Sequence, residues 1–399
     1  MSRKSRPYLF YDTTASVCST CLHRVEAKIL IKDDRVYLEK WCPAHGRERV
    51  LIADDADYYR LAREVYVKRP EMPEHFSTTM TWGCPYDCGL CPDHMQHSCL
   101  TVLEITEHCN LKCPVCYADS GPERQLHRSL GEIEAMLDAV VRNEGEPDVV
   151  QLSGGEPTLH PDFFAILDAA RARPIRHLMI NTNGLGYRCV RGVTLQPVQD
   201  AGRNLGGRGA EDRLTVSGIR RRIAEQSGLF TLDDIVPVPC NPDTLAMGYA
   251  LRLDGQVHPL TRWLGPEALL AGPANTIVFE RDPSIRDRLF RLFSTNHSPA
   301  SGARCLSDLL CCLPRIDAPT LDYTNVFRVL IVQFMDATNL DLRALKKSCV
   351  HMVQPDGRMI PFEAFNLFYR GHLTEGLETL RAGVADDIAR RHRSVPSAG

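Results

Sequence analysis

The sequence lacks long apolar runs and any large excess of charge. No apolar stretch approaches the roughly 18 residues that a membrane-spanning helix requires, and residues 1–10 show no secretory signal pattern. The formal net charge is only −3 at pH 7, which gives no electrostatic basis for binding nucleic acid or an anionic surface. We therefore expect a cytoplasmic protein with no transmembrane segment and no nucleic-acid partner; this composition does not exclude peripheral contact with a membrane.

Cysteine, in contrast, is abundant, because the 399 residues include 16 of them. Without a secretion signal the chain is expected in a reducing compartment, where disulfides are rare. The thiols are therefore predicted to hold metal ions or iron–sulfur clusters. A chain of this length is expected to form two or three domains.

A small module near the N-terminus contains candidate ligands for a single metal ion. They are Cys18, Cys21, Cys42 and His45. Residues 25–31 and 35–39 flank Asp33 and Asp34, and this pattern predicts a β-hairpin between the two ligand pairs. Three thiols and one imidazole match a tetrahedral site of the zinc-ribbon or rubredoxin type, which we expect to be structural. These ligands leave the choice between zinc and iron open.

One cysteine spacing occurs twice in close succession. The first copy is Cys84, Cys88 and Cys91, and the second is Cys109, Cys113 and Cys116. Three thiolates hold three irons of a four-iron cluster, whereas an ordinary cluster takes four, so one iron stays open to a small molecule. Cys99 is a candidate fourth ligand for the first copy, which would then hold an auxiliary cluster. The alternative there is a zinc site that uses His94 or His97.

From residue 100 onward, strands and helices alternate. Strands are predicted over 102–106, 149–153 and 177–180, and helices over 130–142 and 162–172, the first with a capping box at Ser129 and Glu132. The second cysteine copy follows the first strand. The next two strands end in Gly154-Gly155-Glu156-Pro157 and Asn181-Thr182-Asn183-Gly184. Strands that end in such loops are typical of a parallel β/α barrel with its site at the strand carboxyl termini.

A further predicted strand, over 192–198, interrupts this order. It follows Gly184 too closely for a parallel crossover, which needs about a dozen residues or more. Either this strand pairs antiparallel, or βα units are missing between Tyr187 and Cys189, and we favour the second explanation. The expected fold is therefore α/β with a partial, shortened parallel barrel, an N-terminal cysteine-rich β module and a C-terminal α+β region that binds clusters.

The second cysteine copy, together with the Gly154–Pro157 loop, resembles the radical S-adenosylmethionine (SAM) superfamily. The resemblance implies that the amino and carboxylate groups of SAM chelate the open iron of a cluster on Cys109, Cys113 and Cys116. It also implies that Gly154, Gly155 and Glu156 meet the SAM amino group, glycine being needed where backbone approaches a ligand closely. Asn181, Thr182 and Asn183 would contact its ribose or methionine part. An electron from the cluster would then cleave SAM to a 5′-deoxyadenosyl radical that abstracts hydrogen from the substrate.

The wider pattern resembles the tetraether lipid synthase group of that superfamily, which includes members described as pterin-related C-methyltransferases. It is carried by the segments WGCPYDCGLC, HSCLTVLEITEHCNLKCPVCYA, GVTLQPV, CCLP and CVHMVQPDGRMIPF. The resemblance implies a rubredoxin-like N-terminal site and two auxiliary clusters. The expected ligands are Cys84, Cys88, Cys91 and Cys99 for one, and Cys305, Cys311 or Cys312, and Cys349 for the other. For the last group the alternative is free, buried cysteines.

Two features depart from that group. The long stretch that the group carries before the GVTLQPV segment is nearly absent here, and Glu363 stands where a cysteine ligand is expected. The expected domains are a metal module over 1–53, a linker with the first auxiliary motif over 54–99, a radical SAM core over 100–204 and an auxiliary-cluster region with a tail over 205–399.

Three functions follow as hypotheses. The leading one is a radical SAM transferase of lipid biosynthesis, which abstracts hydrogen from an unactivated carbon to join or alkylate lipid chains and takes electrons from a low-potential donor such as ferredoxin or flavodoxin. The second is C-methylation of a small pterin-like heterocycle. The third is a truncated, inactive scaffold that binds clusters or transfers electrons. No catalytic side chain can be named from the sequence.

Overall fold

A computed structural model of the chain describes residues 6–183, 192–204, 213–253, 256–262 and 326–394. Four cysteines lie outside these ranges. They are Cys189, Cys305, Cys311 and Cys312. Three of these were expected to hold the second auxiliary cluster, and that expectation stays a prediction.

The N-terminal module is a four-stranded antiparallel sheet in the order β1-β2-β3-β4. Its strands are β1 Leu9–Val17, β2 Arg24–Lys32, β3 Arg35–Cys42 and β4 Gly46–Ala53. The hairpin between β2 and β3 turns at Asp33 and Asp34, with φ values of 53° and 59°. Asp tolerates this left-handed conformation, and two successive positive φ angles suit the twist of a tight hairpin. The predicted hairpin is confirmed.

A short helix and a long irregular segment connect this module to the centre of the molecule. Helix α1 spans Ala56–Glu64, and the Asp55 carboxylate caps it by accepting from the Tyr58 N–H. Residues 65–99 contain no helix or strand and carry the first cysteine copy. Their backbone is anchored by hydrogen bonds to neighbouring elements, such as Leu90 N–H to Met359 O at 2.9 Å.

The central sheet has five strands in the order β16-β15-β5-β7-β8. Its strands are β5 Leu100–Thr106, β7 Val149–Gly154, β8 His177–Ile180, β15 Val350–Val353 and β16 Met359–Pro361. All neighbours pair in parallel except β15 and β16. The three predicted strands are confirmed. The position of β15 beside β5 was not predicted, and it places chain from the C-terminal region in the same sheet as the core.

Two helices cover one face of this sheet. Helices α2, Leu130–Glu144, and α3, Phe163–Arg171, pack on Leu103, Ile105 and Leu152. Ser129 and Glu132 form the predicted capping box. Because side chains alternate along a strand, Val102 and Glu104 point to the opposite face. Val102 there joins a core formed largely by the C-terminal region.

A second five-stranded sheet lies in the C-terminal half, and four of its strands follow the order β11-β12-β14-β9 while β13 pairs with β12. Its strands are β9 Gly192–Leu195, β11 Ile235–Pro237, β12 Leu245–Leu253, β13 Gln256–Pro259 and β14 Val326–Val332. Strand β9 therefore leaves the central sheet, as the short connection required. The antiparallel pairing considered for it was wrong, because β9 runs parallel to β14.

Two further helices of more than two turns lie in the C-terminal half. They are α4 Val216–Ser227 and α6 Thr374–Ser394. Shorter elements include the two-residue strands β6 Val115–Cys116 and β10 Arg203–Asn204, helix α5 Leu342–Leu345, and the helical turns Phe362–Ala364 and Phe365–Tyr369. None of the described helices is long and apolar enough to cross a membrane. The partial barrel is not confirmed, because within the described ranges the central sheet ends at β8 on one side and at β16 on the other.

The packing of α2 on the central sheet can be tested by a cavity mutation. Leu137 on α2 is completely buried, so Leu137→Ala should lower the free energy of unfolding by about 2–5 kcal/mol. Phe164 is 79% exposed and is the control, because Phe164→Ala should change that free energy by about 0.5 kcal/mol or less. Urea denaturation measures both. Equal effects of the two substitutions would contradict the placement of α2.

Candidate active site and metal centres

The second cysteine copy lies on the loop that follows β5, at the carboxyl edge of the central sheet. Cys109 is buried, Cys116 is half-buried and Cys113 is exposed. The Leu111 N–H donates to Cys109 Sγ at 3.4 Å, the kind of hydrogen bond to sulfur that tunes an iron–sulfur cluster. The donor set therefore suits a four-iron cluster with one open iron, held on a loop that reaches the surface.

This cluster loop is attached to the sheet by a backbone seam, in which residues 106–108 lie against residues 154–156. The Gly155 N–H donates to Thr106 O at 2.7 Å, and the Glu156 N–H donates to His108 O at 2.8 Å. A Cβ at Gly154 would lie 2.1 Å from Thr106 O, and a Cβ at Gly155 would lie 2.1 Å from His108 O. Gly154 also has a φ of 118°. The two glycines are thus required by the close approach of two backbones.

Glu156 links this seam to the end of β8. Glu156 is 2% exposed, and its carboxylate accepts from Thr182 Oγ1 at 2.9 Å and from the Asn183 N–H at 2.8 Å. Burial opposes ionisation, but these bonds and those from Thr158 keep the pKa of Glu156 below its usual value. Glu156 is thereby a charged anchor for the loop after β8.

The two asparagines of that loop reach the other parts of the site. Asn183 Nδ2 donates to Asn110 Oδ1 in the cluster loop at 2.8 Å, and Asn181 Nδ2 donates to Ser153 Oγ at 3.1 Å. The six residues expected to bind SAM are thus gathered around the cluster loop. Their individual contacts with SAM stay predictions.

Arg203 also holds the cluster loop in place, through contacts with residues 113–120. This role of Arg203 was not predicted from the sequence. Its guanidinium donates to Cys113 O at 2.8 Å and to Ser120 O at 2.7 Å, and it pairs with Asp119 at 3.1 Å. Strand β10, which carries Arg203, also pairs with β6 within the loop. The only signal in the sequence was a Gly/Arg-rich stretch, which gave no indication of its partner.

The N-terminal ligands form a compact site, as expected. Cys21 Sγ and Cys42 Sγ are 3.9 Å apart, and His45 Nδ1 lies 3.4 Å from Cys18 Sγ and 3.6 Å from Cys42 Sγ. A tetrahedral zinc ion with bonds of about 2.3 Å to sulfur and about 2.0 Å to nitrogen places such atoms about 3.5–3.8 Å apart. Burial opposes ionisation of Cys42, but hydrogen bonds from His45 lower its pKa to about 6. The donors fit a single zinc ion.

A second group of thiols lies deep in the molecule. Cys99, Cys240 and Cys349 are buried, their sulfur atoms lie within 4.8 Å of one another, and Cys240 Sγ is 3.4 Å from Cys349 Sγ. Hydrogen bonds from Cys349 and Cys99 hold the pKa of Cys240 well below its usual range. The group therefore favours a thiolate, which is the form that binds metal.

This grouping changes the expected ligand sets. Cys99 was expected with the first cysteine copy, but the structure brings it to Cys240 and Cys349. Cys240 was not expected as a ligand at all. His97 Nε2 lies 3.5 Å from Cys99 Sγ, and despite burial its hydrogen bond to Glu144 raises the pKa of His97. An imidazolium at this position further favours the thiolate form of Cys240.

The first cysteine copy lies on a loop that is tied to two other parts of the fold. Tyr86 Oη donates to Leu22 O in the N-terminal module at 2.9 Å, and the Cys88 N–H donates to Tyr369 Oη at 2.7 Å. A hydrogen bond with Cys84 and burial raise the pKa of Cys88. The loop thus presents three thiols and is anchored at both of these contacts.

Two further buried groups lie near these thiols. Glu363 is 1% exposed, accepts from Ser348 Oγ at 2.9 Å, and has its pKa raised to about 7 by burial. His94 Nε2 lies 2.8 Å from Ser348 O and 3.1 Å from His351 Nε2. Of the two histidines considered for a zinc site, His97 lies beside Cys99, whereas His94 is engaged by the backbone and by another histidine.

Comparison with known proteins identifies two domains in the chain. Residues 10–54 match the HMPTM N-terminal zinc ribbon domain, and residues 103–201 match the radical SAM superfamily. The 7,8-dihydro-6-hydroxymethylpterin dimethyltransferase of Methanocaldococcus jannaschii is 23% identical over 484 aligned positions, covering 91% of this chain and 94% of that protein. Since 484 exceeds the 399 residues of this chain, that relative has segments that this chain lacks.

Two further relatives each match less than a quarter of this chain. The GTP 3′,8-cyclase of Pectobacterium atrosepticum is 41% identical over 98 residues, which are 23% of this chain and 28% of that protein. The S-adenosylmethionine-dependent nucleotide dehydratase of Selenomonas ruminantium is 37% identical over 82 residues, which are 21% of this chain and 28% of that protein. The chain thus contains a radical SAM domain and a zinc ribbon, and it is an enzyme whose cofactors are a four-iron cluster and SAM; the zinc ribbon and the cysteine groups indicate additional metal sites. These relatives do not show the expected resemblance to tetraether lipid synthases.

The backbone seam predicts a specific effect of adding one methyl group. Gly155→Ala should displace the cluster loop, because its Cβ would overlap His108 O. We expect a loss of about fivefold or more in reductive SAM cleavage, measured as 5′-deoxyadenosine release, since one removed backbone hydrogen bond is worth about 1 kcal/mol. Gly131→Ala is the control, because nothing lies within 4 Å of its Cβ. Equal SAM cleavage by both variants would show that the seam does not position the cluster.

The N-terminal site predicts a zinc content that depends on its thiols. Cys42→Ser should remove bound zinc, whereas Ser19→Ala, beside a ligand but not itself one, should retain it. Elemental analysis of the anaerobically purified protein measures zinc and iron together. Because the iron ligands lie elsewhere, iron content should be the same in both variants. Full zinc content in Cys42→Ser would contradict the assigned ligand set.

Proposed function

We propose that this radical SAM enzyme methylates a carbon atom of a small pterin-like heterocycle. The observation that carries the proposal is the similarity to a pterin dimethyltransferase over 91% of this chain and 94% of that relative. The zinc ribbon over residues 10–54, of the kind named for HMPTM, supports the same assignment. The shorter similarities each cover less than a quarter of this chain, and they support the reaction type but not the substrate.

In this proposal the cluster site lies on Cys109, Cys113 and Cys116. A four-iron cluster with bound SAM supplies, once reduced, the hydrogen abstraction from an unactivated carbon. The chain's own residues hold and orient these groups. Gly154, Gly155 and Glu156 fix the loop position and meet the SAM amino group, and Asn181, Thr182 and Asn183 contact the ribose or methionine part of SAM from the end of β8. A low-potential donor such as ferredoxin or flavodoxin supplies electrons, and a methyl donor is a second co-substrate.

Three further metal centres complete the proposal. Zinc occupies the site of Cys18, Cys21, Cys42 and His45. Auxiliary clusters occupy the thiols of the first cysteine copy and the buried group of Cys99, Cys240 and Cys349. Cys305, Cys311 and Cys312 remain candidates for an additional ligand of the second auxiliary cluster, and they lie outside the described residues.

The other two hypotheses have less support. None of the relatives reported above is named for an action on lipids, so lipid coupling rests on the initial resemblance alone. The inactive scaffold is favoured by the segments that this chain lacks relative to the dimethyltransferase. Against it, the three thiols, the seam and the Glu156 anchor all remain in place.

Product analysis tests the proposal against both alternatives. The anaerobic, iron-loaded protein is reduced with dithionite in the presence of SAM, with either 6-hydroxymethyl-7,8-dihydropterin or phospholipid vesicles. We expect the pterin, but not the lipid, to increase the release of 5′-deoxyadenosine severalfold, because a true substrate donates a hydrogen atom to the 5′-deoxyadenosyl radical. Cys109→Ala should release none. Stimulation by lipid alone would refute the pterin proposal, and no release from fully loaded protein would favour the scaffold.

A further inference from the structure

A row of polar side chains crosses the central sheet beside the cluster loop. Glu104 on β5 lies directly opposite Ser153 on β7, so both side chains point to the same face. Asn181, just beyond β8, extends the row by donating to Ser153 Oγ at 3.1 Å. The residues on either side of Glu104, Leu103 and Ile105, pack on the helices. The polar row therefore lies on the face away from α2 and α3, at the carboxyl edge.

An arginine from the C-terminal region covers this row. Arg370 Nη2 and Nη1 donate to the two carboxylate oxygens of Glu104, at 2.8 Å and 3.2 Å. The two side chains are only 12% and 15% exposed. Arg370 Nε also donates to Asn366 Oδ1 at 2.7 Å. The guanidinium is thus held in one orientation by two partners, in a largely buried position.

A buried ion pair is a poor source of stability, because removing two charges from water offsets much of their attraction. The presence of such a pair beside the cluster loop therefore favours a role in binding. The helical turn that precedes Arg370, Phe365–Tyr369, has the wide π-type winding, a rare conformation that is frequent at functional sites. The buried ion pair and the π-type turn thus both mark residues 365–370 as a candidate binding segment.

Aromatic rings border the pair. Tyr117 follows the cluster ligand Cys116 directly, and its Oη lies 3.2 Å from Ser153 Oγ. The Arg370 guanidinium carbon lies 5.7 Å from the Tyr117 ring centroid and 4.9 Å from that of Phe365. The Glu104–Arg370 ion pair therefore lies next to two aromatic rings and to the cluster loop.

We propose that Glu104 and Arg370 bind the hydrogen-bonding edge of the planar heterocyclic substrate, with Tyr117 against its ring. This inference rests on the function proposed above. Each carboxylate oxygen has a second acceptor position beyond its bond to Arg370. Glu104 can thus accept from a ring N–H and an adjacent amino group, while Arg370 donates to a ring carbonyl. An acyl chain satisfies neither group and would leave the pair desolvated.

Binding of 6-hydroxymethyl-7,8-dihydropterin to the iron-loaded full chain, in the presence of SAM, tests the inference by calorimetry. Glu104→Gln preserves size but loses the charge, and Arg370→Lys preserves charge but loses the planar fork. Each should weaken binding about 10-fold to 100-fold, as expected for one hydrogen bond to a charged group. Glu378→Gln is the matched control, because the Glu378 side chain is 69% exposed on α6 and pairs with Arg381 rather than with Glu104 or Arg370.

Iron content and the SAM-induced change in the cluster signal are measured in every variant. Weaker pterin binding with both of these retained supports the inference. Wild-type binding that neither substitution weakens would overturn it and leave the proposed function intact. Loss of iron from both variants would also overturn it, because the pair would then be structural. If the wild-type protein fails to bind the pterin, the proposed function itself is wrong.

Discussion

The site depends on the two backbone hydrogen bonds that join residues 106–108 to residues 154–156. They attach the cluster loop to the edge of the parallel sheet at a separation that no Cβ would allow. Glu156 extends this attachment to the end of β8 through Thr182 and Asn183. The thiols that follow β5 are therefore held at a fixed distance from the polar groups that follow β7 and β8. Such fixed positions are required to orient a small co-substrate.

The other proposed metal centres are arranged around the same parallel sheet. Tyr86 connects the N-terminal module to the first cysteine loop, and Tyr369 connects that loop to the C-terminal region. The same C-terminal region supplies β15 to the central sheet, Cys349 to the buried thiol group and Arg370 to Glu104. Metal sites that are separate in the sequence therefore share one network of contacts, and this favours one reaction site served by several centres.

Local patterns allowed part of this arrangement to be predicted. The capping box at Ser129, the turn at Asp33 and the strand before Cys109 depend on neighbouring residues, and each is confirmed. Contacts between residues far apart in the sequence were not predicted, because no local pattern indicates them. Cys240 has no second cysteine at a ligand spacing, and Glu104 and Arg370 meet only because the C-terminal region folds across the sheet. The strand of the GVTLQPV segment was correctly separated from the barrel order, but its parallel partner, β14, lies far along the chain.

Electron paramagnetic resonance of the reduced, iron-loaded protein, recorded before and after addition of SAM, tests most directly which cysteine copy forms the reactive centre. Both copies offer three thiols with the same spacing, but only the second lies on the sheet edge that the seam builds. SAM should change the cluster signal in wild-type protein and in Cys88→Ala, and should have no effect on the signal of Cys109→Ala. A SAM-dependent change that survives in Cys109→Ala and is lost in Cys88→Ala would place the open iron on the first copy and contradict the account.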